Sequence, residues 1–181
     1  AKLFSDSVSA ELGELKMSDA RLDVMLAWQE DSVHWNALGA DSIKWLARTN
    51  RGEEPKPLQK VASGGELSRL MLAIRRVIAD RGGIGVYLFD EIDTGMGGQT
   101  AFTVGKKLKS VSKHNQVLCI THLPQVAAFA DHNVVVRKQA QGKRTHTQVS
   151  ALSKKERQEE LARMLGGEEL TRKTMENARE L

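Results

Sequence analysis

Two short apolar runs, Ile84 to Phe89 and Val117 to Ile120, constrain the fold of this chain most, because neither alternates with polar residues. A strand of that kind is covered on both faces, and two in succession need a connection that climbs over one face and returns. The sequence between them supplies a loop with Gly95, Gly97 and Gly98, then a helical pattern with Ala101, Val104, Leu108 and Val111 on one side. Strand, helix, strand predicts a parallel pair with a right-handed crossover, and hence an α/β chain with a mostly parallel sheet flanked by helices.

The flanking sequence fits this centre. Leu3, Phe4, Val8, Leu12 and Leu15 lie on one helical stripe, so a helix opens the chain over residues 1–16. From Arg21 the period changes to two, with Leu22, Val24, Leu26 and Trp28 on one face, and it returns at Ile43, Trp45, Ala47 and Thr49. This predicts a hairpin joined through Asn36, Gly39 and Asp41. Gly52, Pro55 and Pro57 make Asn50 to Lys60 a loop. After Ser63, apolar residues at Leu67, Leu70, Met71, Ile74, Val77 and Ile78 give a helix ending near Arg81, before Gly82-Gly83. Pro124 opens a short helix through Phe129. Asn133 to Arg137 reads as a third core strand, turning at Gln141-Gly142 into an edge strand from Arg144 to Ala151. Helices over about Lys154 to Leu165 and Glu168 to Arg179 complete a single domain spanning 1–181.

Composition excludes some functions. At 40% hydrophobic and 28% charged residues, with no apolar run near the roughly 18 residues of a membrane span, a membrane-embedded role has no support. The first residues lack a basic region, apolar core and cleavage site, so the expectation is a cytoplasmic protein. Cys119 is the one cysteine and lies in an apolar run, where a thiol acts as a small hydrophobe. Net charge is +4, with basic residues gathered at Arg137, Lys138, Lys143, Arg144, Lys154 and Lys155. Such a cluster suits an acidic partner, although charge runs are more often solvated faces.

Three places carry chemistry. Ser63-Gly64-Gly65-Glu66 stands at a helix start, where free backbone N–H groups and the helix dipole favour an anion; equally, Ser-x-x-Glu is a capping box. An apolar strand ending in Asp90-Glu91 can place a magnesium-binding carboxylate at Asp90 and a water-orienting one at Glu91, yet two acids also serve as ordinary loop starters. Asp93 either shapes that loop for catalysis or turns the chain. His122 follows the second apolar run, so a parallel register brings it to the same sheet edge, where it can donate to a terminal phosphate; a structural role is the plain alternative. Gly167 to Thr174 mimics the spacing of a phosphate loop but has Arg172 in place of its second glycine and no strand before it. In this order the three places look like the second half of an ATP-binding-cassette ATPase site, and no Gly-rich loop ending in Gly-Lys-Ser/Thr precedes them.

Lys60-Val61-Ala62-Ser63-Gly64-Gly65-Glu66-Leu67-Ser68-Arg69, Phe89-Asp90-Glu91-Ile92-Asp93-Thr94-Gly95 and Thr121-His122-Leu123-Pro124-Gln125-Val126 closely resemble the RecN family of bacterial DNA repair ATPases, relatives of the structural-maintenance-of-chromosomes proteins. The resemblance implies the C-terminal lobe of an ATPase head, with residues 1–16 as the returning end of a coiled coil. It implies ATP and Mg2+ as cofactors, sandwiched between two heads. Ser63, Gly64 and Gly65, with Glu66 beside them, would face the terminal phosphate of the partner's ATP. Asp90 would hold Mg2+ and Glu91 and His122 would act in the chain's own site, with Asp93 at the dimer contact. The implied partners are an N-terminal lobe of the same protein, a second copy and DNA, in the cytoplasm at the nucleoid and with no membrane. Without a phosphate loop, this segment alone is expected neither to bind ATP tightly nor to hydrolyse it. Two other functions share some of these features: the nucleotide-binding subunit of a membrane transporter, and a non-catalytic docking module.

Overall fold

The opening stripe forms helix α1, Lys2–Glu14. In the computed structural model, which describes residues 1–37, 39–61, 63–78, 85–141, 144–167 and 171–181, Val8, Leu12 and Leu15 of this stripe are fully buried while Leu3 remains 86% exposed. Phe4 meets the edge of Trp45, ring centroids 5.6 Å apart. The hairpin follows as β1 (Arg21–Trp28) and β2 (Asp41–Arg48), paired antiparallel from Arg21 opposite Arg48 to Trp28 opposite Asp41. That register puts Leu22, Val24, Leu26 and Trp28 on one face with Ile43, Trp45 and Ala47. Leu22 and Ala47 are buried at its base, whereas Leu26, Trp28 and Ile43 are exposed toward its tip. Within the predicted loop, Lys56–Pro57 adds a two-residue strand, β3, to the edge of β2, a position where proline's missing N–H costs little.

Helix α2, Gly64–Ile78, turns Leu70, Leu72, Ala73 and Ile74 into the core and packs against α1. Burying a leucine such as Leu70 or Leu72 contributes about 2 kcal/mol by the area it removes from water. The predicted end of this helix near Arg81 and Gly82-Gly83 lies outside the described residues, as does Ile84. Strands β4 (Val86–Phe89) and β5 (Gln116–Cys119) form the expected parallel pair, Val86 opposite Gln116 and Phe89 opposite Cys119, and α3 (Gly98–Val111) makes the crossover between them. Helix α3 buries Ala101, Val104, Leu108 and Val111, the four predicted positions.

One expectation fails. The two apolar runs are not covered on both faces: Phe89 is 4% exposed, but Val86 and Leu88 are 62% and 67% exposed, and Leu118 and Ile120 are 48% and 57% exposed. The composition is that of a strand with two covered faces, and the described residues supply a cover for one.

The chain packs as two compact units, Ala1–Ile120 and Thr121–Leu181. In the second, α4 (Pro124–Ala127) is a single turn with proline in its first turn, shorter than the predicted helix to Phe129. Strands β6 (Val134–Gln141) and β7 (Arg144–Ala151) pair with each other, Val134 opposite Ala151 through Gln141 opposite Arg144. The predicted third core strand is therefore half of an antiparallel ribbon, a two-stranded sheet of its own, so among the described ladders the parallel arrangement is confined to β4–β5. Gly142 of the predicted Gln141-Gly142 turn lies outside the described residues, as does Lys143. Helix α5, Lys154–Gly166, opens with a complete capping box of Ser153 and Glu156, and α6 spans Arg172–Glu180; the predicted start of that last helix at Glu168 also lies outside the described residues. Ala127, Leu161, Ala162 and Ala178 form the small core of this unit, with Met164 and Met175 against it.

Candidate functional site

The first turn of α2 and the loop leaving β4 meet in the first unit. Ser63 Oγ accepts the Glu66 N–H at 3.4 Å, so the capping role read from Ser-x-x-Glu is present, though the bond is long. Past it the helix must come very close to a loop. A Cβ on Gly64 would overlap the Glu91 carboxylate, and one on Gly65 would lie 3.0 Å from the Glu91 carbonyl oxygen and 3.2 Å from Thr94 Cβ. Gly65 needs glycine for this approach to the loop backbone, whereas at Gly64 the obstacle is the end of a flexible side chain.

The loop is wound tightly. Asp90 Oδ1 accepts the Glu91 N–H at 2.9 Å. Glu91 itself adopts φ of 55°, the left-handed region, which costs a non-glycine residue about 1–2 kcal/mol. Its carbonyl accepts the Thr94 N–H, and that of Asp93 accepts the Met96 N–H, each at 3.1 Å. Ile92 and Asp93 are buried, at 0% and 3% exposure, whereas Asp90 and Glu91 are exposed. Asp93 is thus folded into its own loop and is not presented outward.

Two further side chains hold this loop, and the sequence reading gave neither a role. Ser68 Oγ donates to the Asp90 carbonyl at 2.7 Å, and Arg69 Nη1 donates to the carbonyls of Thr94 at 3.1 Å and Ile92 at 3.4 Å. A signal existed for Arg69: a cation near the positive end of a helix opposes the helix dipole and needs a compensating partner.

Cys119, at the end of β5, reports on the same corner. Burial pushes its thiol up to about 12, and the charges of Asp93 and Asp90 push in the same direction. The parallel register continues past it, the Ile120 N–H donating to the Phe89 carbonyl at 2.9 Å. His122 is exposed in the second unit, next to a turn in which the Leu123 N–H donates to Thr121 Oγ1 at 3.0 Å. The structure therefore gathers Ser63, Gly64, Gly65, Glu66, Asp90, Glu91 and Asp93 in one unit and puts His122 in the other.

No group of three or more His, Cys, Asp or Glu is gathered as a metal site among the described residues. An exposed carboxylate at a strand end still fits Mg2+, an ion commonly held by one or two carboxylates with phosphate oxygens and waters completing the shell. Asp90 is such a carboxylate, with one oxygen bonded to the backbone of its own loop.

This architecture defines a class of protein. The chain superposes on the Smc head domain with a coiled coil and joint from Pyrococcus yayanosii with a TM-score of 0.57 and 21% identity, covering 88% of this chain and 28% of that one. It also superposes on the Smc head domain with an extended coiled coil from Pyrococcus furiosus, TM-score 0.55 and 22% identity, covering 91% of this chain and 38% of that one. The fold is shared with part of these Smc head domains. The particular family that the chain resembles along its full length is RecN. It is 43% identical to the DNA repair protein RecN of Vibrio cholerae over 181 residues, all of this chain and 32% of that protein, and 41% identical to RecN of Bacillus subtilis over 193 residues, all of this chain and 34% of that protein. The chain spans about a third of the length of these relatives. No protein-family model matches it. Among the described residues, no helix is long and apolar enough to cross a membrane.

Proposed function

We propose that this chain is the signature-bearing half of a DNA repair ATPase head, both of its units belonging to one lobe, and that it works in the cytoplasm when joined to an N-terminal lobe with a phosphate loop. In this reading Asp90 holds Mg2+, Glu91 orients the attacking water, and His122 donates to the terminal phosphate. The start of α2, Ser63 to Glu66, meets the ATP of a second copy, and DNA is the substrate of the assembled machine. Bound ATP and Mg2+ supply the transferable phosphoryl group and the neutralising charge; this chain supplies acceptors, donors and a fixed loop.

The observation that carries the reading is the meeting of Gly64 and Gly65 with the Asp90–Glu91 loop at one corner of a two-stranded parallel sheet. A helix start and a carboxylate pair at a strand's end are two recurrent parts of phosphoryl-transfer machinery. The exposed sheet face adds support, since Val86, Leu88, Leu118 and Ile120 offer the apolar surface that a missing lobe would cover. The Glu91 carboxylate leans on Gly64 of its own chain, so its catalytic position requires a side-chain turn away from that glycine.

The test is ATP hydrolysis by this chain mixed with a separately produced N-terminal lobe, with and without DNA. Turnover is expected in the mixture and in neither part alone, and it is expected to disappear with Glu91→Gln. Leu88→Glu is expected to prevent assembly. A stable complex of the two parts that never hydrolyses ATP would overturn the catalytic reading and leave a docking module.

A further inference from the structure

We propose that Arg69 is a positioning residue for the carboxylate loop, holding the backbone on either side of Glu91's strained conformation so that the carboxylate is aimed. The inference rests on the role given to Glu91 above.

The carbonyls of residues 90, 92 and 94 are all held from the second turn of α2. Ser68 takes the first at 2.7 Å; the Arg69 guanidinium takes the second at 3.4 Å and the third at 3.1 Å. Between them sits Glu91 at φ of 55°, a conformation that persists only where its surroundings over-determine it. A second nitrogen of the guanidinium is also used, Arg69 Nε lying 3.4 Å from the sulfur of Met17, a residue 7% exposed just after α1. One planar group therefore ties three segments together: α2, the loop, and the chain leaving α1. A lysine cannot copy this, because its ammonium is a single point on a flexible stem while the guanidinium is a rigid fork.

Two more observations agree. A Cβ on Gly65 would lie 3.2 Å from Arg69 Nη1, so the neighbouring glycine leaves room for the fork. Burial holds the guanidinium below its ordinary value, with the Glu66 charge acting the other way, as expected for a cation withdrawn from water to bond carbonyls. Nothing places Arg69 on a reacting atom, so its contribution to turnover runs through Glu91.

The experiment compares wild type, Arg69→Met, Arg69→Lys and Glu91→Gln in the assembled two-lobe ATPase, measuring kcat and KM for ATP. In parallel, hydrogen exchange of the Thr94 and Met96 amides is followed in this 181-residue chain. Arg69→Met is expected to lower kcat about tenfold or more with KM within about twofold, the mark of an interaction realised in the transition state. It is also expected to speed exchange at Thr94 and Met96 while leaving the buried centre of α2 protected. Arg69→Lys is expected to recover part of kcat by serving one carbonyl. An inactive Glu91→Gln beside a fully active Arg69→Met would overturn this inference alone. An active Glu91→Gln would overturn the Glu91 reading and this inference with it. Uniformly faster exchange through α2 in Arg69→Met would reduce Arg69 to a general fold stabiliser and likewise overturn the proposal.

Discussion

Gly64 and Gly65 are adjacent in sequence and differ in what a methyl group would meet. At Gly64 the obstacle is the Glu91 carboxylate, the end of a side chain that can swing away; at Gly65 it is the Glu91 carbonyl and Thr94, parts of a wound loop. Gly64→Ala is therefore expected to leave the melting temperature nearly unchanged, because Glu91 can swing aside, while cutting ATP turnover of the assembled protein, because the added methyl stands where the partner's phosphate would approach the helix start. Gly65→Ala is expected to destabilise this chain by about 1–3 kcal/mol, the range for overpacking, measured by urea denaturation. Cys119 gives a pH prediction. Its folded value is raised to about 12, so its contribution to stability is fully present below its unfolded value of about 8.5 and fades as the pH climbs toward 12. At pH 8 the native thiol is expected to resist iodoacetamide and to react once the chain is unfolded in urea, as read by mass spectrometry. At this scale the sequence singled out Ser63 to Glu66, Asp90 and Glu91 as candidates because their residue types suit phosphate and magnesium chemistry, and the structure brings them to one corner. Ser68 and Arg69 stayed silent because their partners are backbone carbonyls some 22 to 25 residues away, which no local pattern reveals.

Helix α1 is fastened to α3 through Lys107, which is 7% exposed and reaches both Glu11 and, at 2.9 Å, Glu14. A buried ammonium left without acids is costly, and so is the reverse. Lys107→Ala is expected to lower stability by about 1–3 kcal/mol, at the low end because Glu14 stays largely solvated, with a matching fall in melting temperature. Salt bridges across two helices do not follow from either helix's own period, which is why Lys107 was not predicted as a core position although Val104, Leu108 and Val111 around it were. Element types were legible where the period was strong, as in α1, the β1–β2 hairpin, α2 and α3. The assignment of Asn133 to Arg137 to the central sheet was not, because a Val-rich segment reads the same whether it pairs with a parallel neighbour or folds back on itself.

Across the whole molecule, the β6–β7 ribbon is the strongest concentration of unbalanced charge. Residues 134–151 contain Arg137, Lys138, Lys143, Arg144 and His146 and no acid, and β7 is exposed along its length. Arg137 reaches Glu160 at 3.4 Å, while Lys138 and Arg144 face solvent. If the ribbon meets nucleic acid, Lys138→Gln with Arg144→Gln should weaken duplex binding and reduce the slope of log K against log salt by about 0.9 per lost phosphate contact; an unchanged slope in a titration by fluorescence anisotropy would assign the ribbon to solvent. The open face of β4 and β5 matters in time as well as in space. In the proposed head, its cover comes from a distant stretch of a longer polypeptide, so closing it requires the slow capture of remote segments. Until then Val86, Leu88, Leu118 and Ile120 form a sticky surface on a newly made chain, a place for a chaperone to hold and the step at which assembly competes with aggregation.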